Sequence, residues 1–281
     1  MRCSSCSVRS SSSIIVVCSS IMSEYTNSAN KMVMPQAAYG NKWNDSSVRS
    51  DVPIFIVLQL YHPTRVDFLG NYHYDAVTME RKEYFNGKKV TVMRIGLLGR
   101  GVGDAAFLAE QGALVHVVDD APQDVMQPSV DALAKYENVQ FTFGPYQEEH
   151  FTDADFVLVG AGAPLNMPVL DAARAAGVPL KQSAAWFAEL SKVPVIGVTG
   201  TRGKSTVTHM IHHVLSEVTG EKILLGGNVR GLSNLQLLKE VQEDSLCVME
   251  LDSWQLQGFG WAKISPQIAV FTNFMEDHLN Y

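Results

Sequence analysis

Apolar positions are unevenly spaced along this chain, and the spacing divides it. Over residues 1–78 no helical or strand period is sustained; Ser, Asn and Tyr recur, and only Pro53–Leu60 is continuous enough to form one isolated strand. Such a stretch buries too little apolar surface to offset its ordering entropy. Residues 1–78 are therefore expected to be a disordered or non-native extension. Regular patterning starts after Met79. From Lys88 onward, short β-branched runs alternate with helical periods, which predicts an α/β protein with parallel sheets. Strands are predicted at Lys88–Met93, Leu114–Val118 and Phe156–Val159. Helices are predicted at Gly99–Gln111, Pro168–Ala176 (stopped by Gly177) and Ser183–Leu190. After Lys192-Val193-Pro194 a second series begins, with strands at Val195–Thr199, Ile223–Leu225, Ser245–Met249 and Gln267–Phe271. Two domains are expected, 79–191 and 192–281.

The most specific pattern lies where the second series starts. A β-branched strand, Val195-Ile196-Gly197-Val198-Thr199, runs into Gly200-Thr201-Arg202-Gly203-Lys204-Ser205-Thr206 and then a helix. Backbone N–H groups of such a turn cradle phosphate oxygens at a helix N-terminus. Lys204 would reach the β/γ-phosphates and the Ser205 hydroxyl would bind Mg²⁺. The strict spacing asks for glycine at position 198, which is Val198, and Gly200 stands inside the loop instead. This predicts a P-loop ATP site made of Gly200, Thr201, Arg202, Gly203, Lys204, Ser205 and Thr206.

The first domain reads as Rossmann-like: strand, Gly-rich turn, helix, strand, acidic residue. Two spacings fit the turn. Gly99 and Gly101 place Asp104 in the third slot; positions 94, 96 and 99 hold Arg94, Gly96 and Gly99. The second follows the strand directly and is preferred, although Arg94 stands where a tight turn favours glycine. A hydride-transferring dehydrogenase is the first function this pattern suggests, but fold alone does not fix chemistry. Given the triphosphate loop downstream, the turn Gly96-Leu97-Leu98-Gly99 is expected to hold a uridine-diphosphate group, with Asp119 near the ribose or uracil. A dinucleotide cofactor and a purely structural layer are the alternatives.

Composition narrows the function class. With 46% hydrophobic and 18% charged residues the chain suits a protein with a real core. A net charge of −7 argues against nucleic-acid binding. No apolar run approaches the about 20 residues of a membrane span, so no membrane insertion and a cytoplasmic location are expected. Four cysteines make no disulfide framework in a chain this long; Cys247 reads as a buried thiol, and Cys3 and Cys6 lack the partners of a zinc site.

In the second series each strand ends in polar residues: the phosphate loop, Asn228, Glu250 and Thr272-Asn273, with Asp277-His278 just beyond. Ligands of open parallel sheets bind at the carboxyl ends of the strands. Lys204, Ser205, Asn228, Glu250, Asn273 and His278 are therefore expected to share one cleft. Glu250 follows a buried run, where an unpaired carboxylate is costly, and a Mg²⁺ beside the phosphates would relieve that cost. A helix-capping acid or a salt bridge would relieve it as well. A lone His278 is either structural or a metal ligand. A metal cluster of His209, His212 and His213 is disfavoured, because the loop already accounts for that helix.

Together, the stretches 199–206, Gly226-Gly227-Asn228, Met249-Glu250-Leu251-Asp252-Ser253-Trp254-Gln255-Leu256 and 271–281 resemble the Mur ligase family of ATP-dependent amino-acid ligases, most closely its D-glutamate-adding members. The resemblance covers about residues 79–281. It implies that 192–281 is part of the family's central ATP-binding domain, with ATP and Mg²⁺ as cofactors. It implies UDP-N-acetylmuramoyl-L-alanine and D-glutamate as substrates, joined through an acyl phosphate by a monomeric enzyme. By the same resemblance Lys204 and His278 are catalytic, Ser205, Glu250 and His278 are metal ligands, Asn273 belongs to the nucleotide site, and Asn228 and Ser253 face the substrate. Asp252 stands where the family usually has Ser. The family's remaining central segment and C-terminal amino-acid-binding domain are not in the chain, which is therefore expected to bind nucleotide without forming the amide bond. Another member of the family, a folylpolyglutamate synthase or a non-catalytic nucleotide-binding module are the competing expectations.

Overall fold

A computed structural model describes residues 13–18, 54–59, 81–97, 99–160 and 162–276. Two sheets organise them. The first has five parallel strands: β3 (Lys89–Met93), β4 (Leu114–Asp119), β5 (Val139–Phe143), β6 (Phe156–Val159) and β7 (Leu180–Lys181), in the order β5-β4-β3-β6-β7. Its helices are α1 (Arg100–Glu110), α2 (Gln123–Leu133), α3 (Glu149–Thr152), α4 (Pro168–Ala175) and α5 (Ser183–Ser191). The predicted strands and helices of this half appear within one or two residues of expectation. Sequence pattern alone did not reveal α2, α3, β5 or β7.

The second sheet contains β8 (Val195–Thr199), β9 (Ile223–Gly227), β10 (Leu246–Glu250) and β11 (Ile268–Phe271), all parallel. Helix α6 (Lys204–Thr219) follows β8 and α7 (Ser253–Ala262) follows β10. Two more strands extend this sheet. β1 (Ser13–Cys18) pairs antiparallel with β2 (Ile54–Gln59), and β2 pairs antiparallel with β11, giving the order β1-β2-β11-β8-β10-β9. Where one isolated strand was expected near Pro53–Leu60, the structure pairs Ile54–Gln59 on both sides. The reason is that β11 offers an unpaired row of backbone N–H and C=O groups, and a β-branched run satisfies it.

Alternation along the strands sorts side chains into layers. Ile196 and Val198 of β8, with Ile223, Val248 and Val270, face Val207, Ile211 and Leu215 of α6. On the first sheet Met93, Val157 and Val159 face Leu170 and Ala173 of α4. The opposite faces of both sheets share one continuous core. Trp186 and Phe187 of α5, Phe85, Phe107, Leu235, Leu238, Met249 and Phe259 are all 3% exposed or less within it. Phe85 packs edge-on against Trp186 at 5.2 Å and Phe107 at 6.0 Å, the geometry that aromatic quadrupoles favour.

Candidate functional site

The loop after β8 is shaped by its own glycines and by the end of β11. Gly200 has φ 126° and Gly203 φ 80°, conformations open to glycine at little cost. A Cβ on Gly200 would overlap Thr272 Oγ1 and crowd the Asn273 backbone. Thr272, 2% exposed, donates its hydroxyl to the Arg202 carbonyl at 2.6 Å. Asn273 holds the same residue twice: its Oδ1 accepts from the Arg202 N–H at 2.9 Å, and its Nδ2 donates to the Arg202 carbonyl at 3.0 Å. The Thr201 N–H bonds the Asn273 carbonyl at 2.9 Å, and Thr201 Oγ1 accepts from the Met275 N–H at 2.9 Å. Val198 is a fully buried strand residue, not part of the loop.

Gly203 caps α6 in a left-handed conformation with no side chain bonded to the first turn and no acidic residue in it. The N-terminal N–H groups and the positive dipole end are thus free of side-chain competition. Lys204, Ser205 and Thr206 form that first turn. The Lys204 ammonium lies over the loop, donating to the Gly200 and Thr201 carbonyls at 2.8 and 3.0 Å. Ser205 and Thr206 are exposed.

Strand register brings Asn228, Glu250 and Asn273 to the same edge. Glu250 of β10 pairs with Val198 on one side and Gly227 on the other, and Phe271 pairs with Thr199. Glu250 is 5% exposed. Its carbonyl accepts from the Asn228 N–H at 2.7 Å, an approach that leaves no space for a Cβ on Gly227. Ser253 opens α7, and Asp252 is its N-cap: Asp252 Oδ1 accepts from the Gln255 N–H at 2.8 Å and Gln255 Oε1 from the Asp252 N–H at 3.1 Å. Asp252 thus acts as a helix cap. His278 lies outside the described residues. His209 Nδ1 is 2.8 Å from the Ser205 carbonyl and His212 Nε2 3.2 Å from that of Ile223. Among the described residues no group of three or more His, Cys, Asp or Glu side chains is arranged around a metal position.

A cleft open to solvent lies at the carboxyl edge of the first sheet. The sheet order reverses at β3, between β4 and β6, the place where open α/β sheets leave a crevice. Gly96 and Leu97 line it beside Arg94, Arg100 and Asp104, and residues of the second half close it: Asn234, Trp254 and Gln255. Gly99, φ 83°, caps α1; Leu98 lies outside the described residues. The glycine demanded by close packing is Gly101, which the preferred spacing passes over: a Cβ there would strike the Ile95 backbone. Asp119 is 4% exposed and its carboxylate accepts from the Ala121 N–H at 3.1 Å, an Asx-type turn that ends β4.

Helix α1 also joins the two halves, which sequence pattern did not indicate. Arg100 donates to the Asn228 side chain, Gln236 Nε2 donates to the Gly103 carbonyl at 3.0 Å, and Lys239 pairs with Glu110. Asp104 accepts from the Ser233 hydroxyl at 2.6 Å and the Leu235 N–H at 3.0 Å. Burial pushes the Asp104 carboxyl up to about 6, against the opposing pull of those donors, Ser183 and Arg100. Cys247 is fully buried and its thiol is pushed up by desolvation, which makes it a packing residue.

Two family models match the chain. A family model for the Mur ligase MurD-like N-terminal domain matches residues 88–181, and one for the Mur ligase middle domain matches residues 198–281. The UDP-N-acetylmuramoylalanine--D-glutamate ligase of Roseiflexus sp. (strain RS-1) is 38% identical over 194 residues, covering 69% of this chain and 41% of the relative. The protein of the same name from Desulfatibacillum aliphaticivorans is 34% identical over 194 residues, covering 69% and 42%. Among solved structures, the UDP-N-acetylmuramate:L-alanyl-gamma-D-glutamyl-meso-diaminopimelate ligase from Neisseria meningitides aligns at 20% identity and a TM-score of 0.44, over 69% of this chain and 63% of that one. The chain spans about two fifths of the length of the curated relatives it matches. Over its two sheets, the chain belongs to the Mur ligase family.

Proposed function

We propose that this chain carries the ATP-handling and UDP-sugar-handling part of a ligase that adds D-glutamate to UDP-N-acetylmuramoyl-L-alanine in peptidoglycan synthesis. The observation that carries this reading is the strand register: it sets the P-loop-like turn after β8 and the Glu250 carboxylate at one sheet edge, with Asn273 bracing the turn. In the reaction implied, the γ-phosphoryl group of ATP passes to the substrate carboxylate and ADP leaves. The amine of D-glutamate then attacks the activated carbonyl and loses a proton, and inorganic phosphate leaves as the amide forms. The N–H groups at the α6 N-terminus receive the phosphates, while those of Thr201 and Arg202 stay bonded to Asn273. Lys204 leaves its two carbonyl partners to neutralise the transferring group, so its role is charge stabilisation and positioning.

The donor set suits Mg²⁺. Glu250 is a buried carboxylate and Ser205 is an exposed hydroxyl, both hard oxygen ligands. When bound, the ion would neutralise part of the phosphate charge. The cleft beside Gly96 and Leu97 is read as the UDP-sugar site. The two-domain division at 191/192 and a cytoplasmic, monomeric protein belong to the same proposal.

Titrating the chain with ATP, with and without Mg²⁺, tests the first half. Lys204→Ala is expected to weaken Mg·ATP binding by about tenfold or more, the scale of one charge-assisted contact of roughly 1.5–3 kcal/mol. Equal affinity in both proteins would remove the loop from the nucleotide site.

A further inference from the structure

Arg94 is used by nothing in the reading above, yet its backbone and its side chain are both unusual. Among the described residues three non-glycine positions have positive φ: Arg94, Lys192 and Lys263. The two lysines are C-caps of α5 and α7, where a left-handed residue closes the helix. Arg94, φ 55°, ends no helix. It sits between β3 and the glycine turn, its N–H bonded to the Val118 carbonyl at 2.9 Å. Its carbonyl is approached so closely by Gly160 that a Cβ there would overlap it. Glycine would adopt this conformation without the backbone cost.

The side chain is loosely engaged. Nε is 3.7 Å from Asp120 Oδ1, and a terminal nitrogen is 3.4 Å from the Gly162 carbonyl. Both exceed the usual 2.7–3.2 Å range of N–H···O bonds, so most of the five guanidinium donors are uncommitted among the described residues. The side chain is 39% exposed and lines the cleft. The cleft's other arginine, Arg100, is taken up by the Asn228 side chain. A planar guanidinium with free donors in a cleft matches the paired oxygens of a phosphate.

We propose that Arg94 is the specificity-determining residue that grips the diphosphate of a nucleoside-diphosphate ligand in this cleft, exchanging its long Asp120 contact for paired phosphate bonds. This rests on the UDP-sugar reading of the cleft and adds the residue that reads the anion.

The test is calorimetric titration of the full chain with UDP and with uridine, with Mg·ATP present throughout to fill the loop after β8. Arg94→Gly removes the cation and relaxes the left-handed turn, so the variant is expected to melt no lower than the parent. Its UDP affinity is expected to fall roughly 10- to 100-fold while uridine binding is unchanged. Undiminished UDP binding would overturn the proposal, as would an equal loss for uridine, which would mark a structural role. A parent chain that binds neither UDP nor uridine overturns the reading of the cleft itself, and this proposal with it.

Discussion

Gly200 has the least freedom of any residue in the loop after β8. Its φ of 126° is open to few side chains, and the space a Cβ needs is filled by Thr272 Oγ1 and the Asn273 backbone. Gly203 has a positive φ as well, but nothing lies within 4 Å of a Cβ there. Gly200→Ala is therefore expected to cost about 2–3 kcal/mol of stability and Gly203→Ala about 1 kcal/mol, compared by urea unfolding. Equal losses would mean that the loop has room to give at Gly200. The two glycines, Lys204 and Ser205 were legible from spacing alone, because strand, turn and helix appear in the order a phosphate loop requires. The clamp that Thr272 makes on Arg202 was not: a polar strand end does not reveal its partner until the fold brings it beside residue 202.

The elements on either side of the cleft show where pattern reading succeeds and fails. Strands β3, β6 and β8 to β11 were readable as apolar runs. Helix α2 carries Pro128 in its interior, which argues against a helix in any sequence reading, and β5 is a short run of partly exposed residues. The spacing 94/96/99 was preferred because it follows the strand directly, yet close packing falls on Gly101, a constraint set by the Ile95 backbone that no spacing rule contains. Helix α1 makes a pH-dependent contribution. The Asp104 carboxyl is raised from 3.8 to about 6 in the folded chain, so the folded state holds its proton to higher pH than the unfolded state. Stability from this group is greatest below about pH 4 and declines as pH rises to about 6, by up to about 3 kcal/mol. Asp104→Asn, which still accepts from Ser233 and Leu235, should flatten that decline. Denaturant midpoints measured from pH 4 to 7 in both proteins check it; parallel profiles would assign the slope to other groups.

At the scale of the molecule, two sheets share a core through α5 and are tied by α1. The alternating series predicted the α/β class and both sheets, but not this seam, since the pairs Asp104–Ser233 and Gly103–Gln236 join positions more than 120 residues apart. Nor did it predict that β1 and β2 would complete the edge at β11. Removing residues 1–80 should leave the β11 groups that face β2 unpaired. Hydrogen exchange is then expected to quicken at Ala269–Phe271 and stay unchanged in β10; unchanged protection in β11 would show that β2 does not shield it.

The bracing of Arg202 by Thr272 and Asn273 has one more consequence. The turn after β8 is not a portable module. A peptide cut from residues 195–219 would contain every residue that a motif search recognises, but not the strand end that holds the turn in shape. Grafted onto another scaffold, the turn would need its distant polar clamp carried over with it.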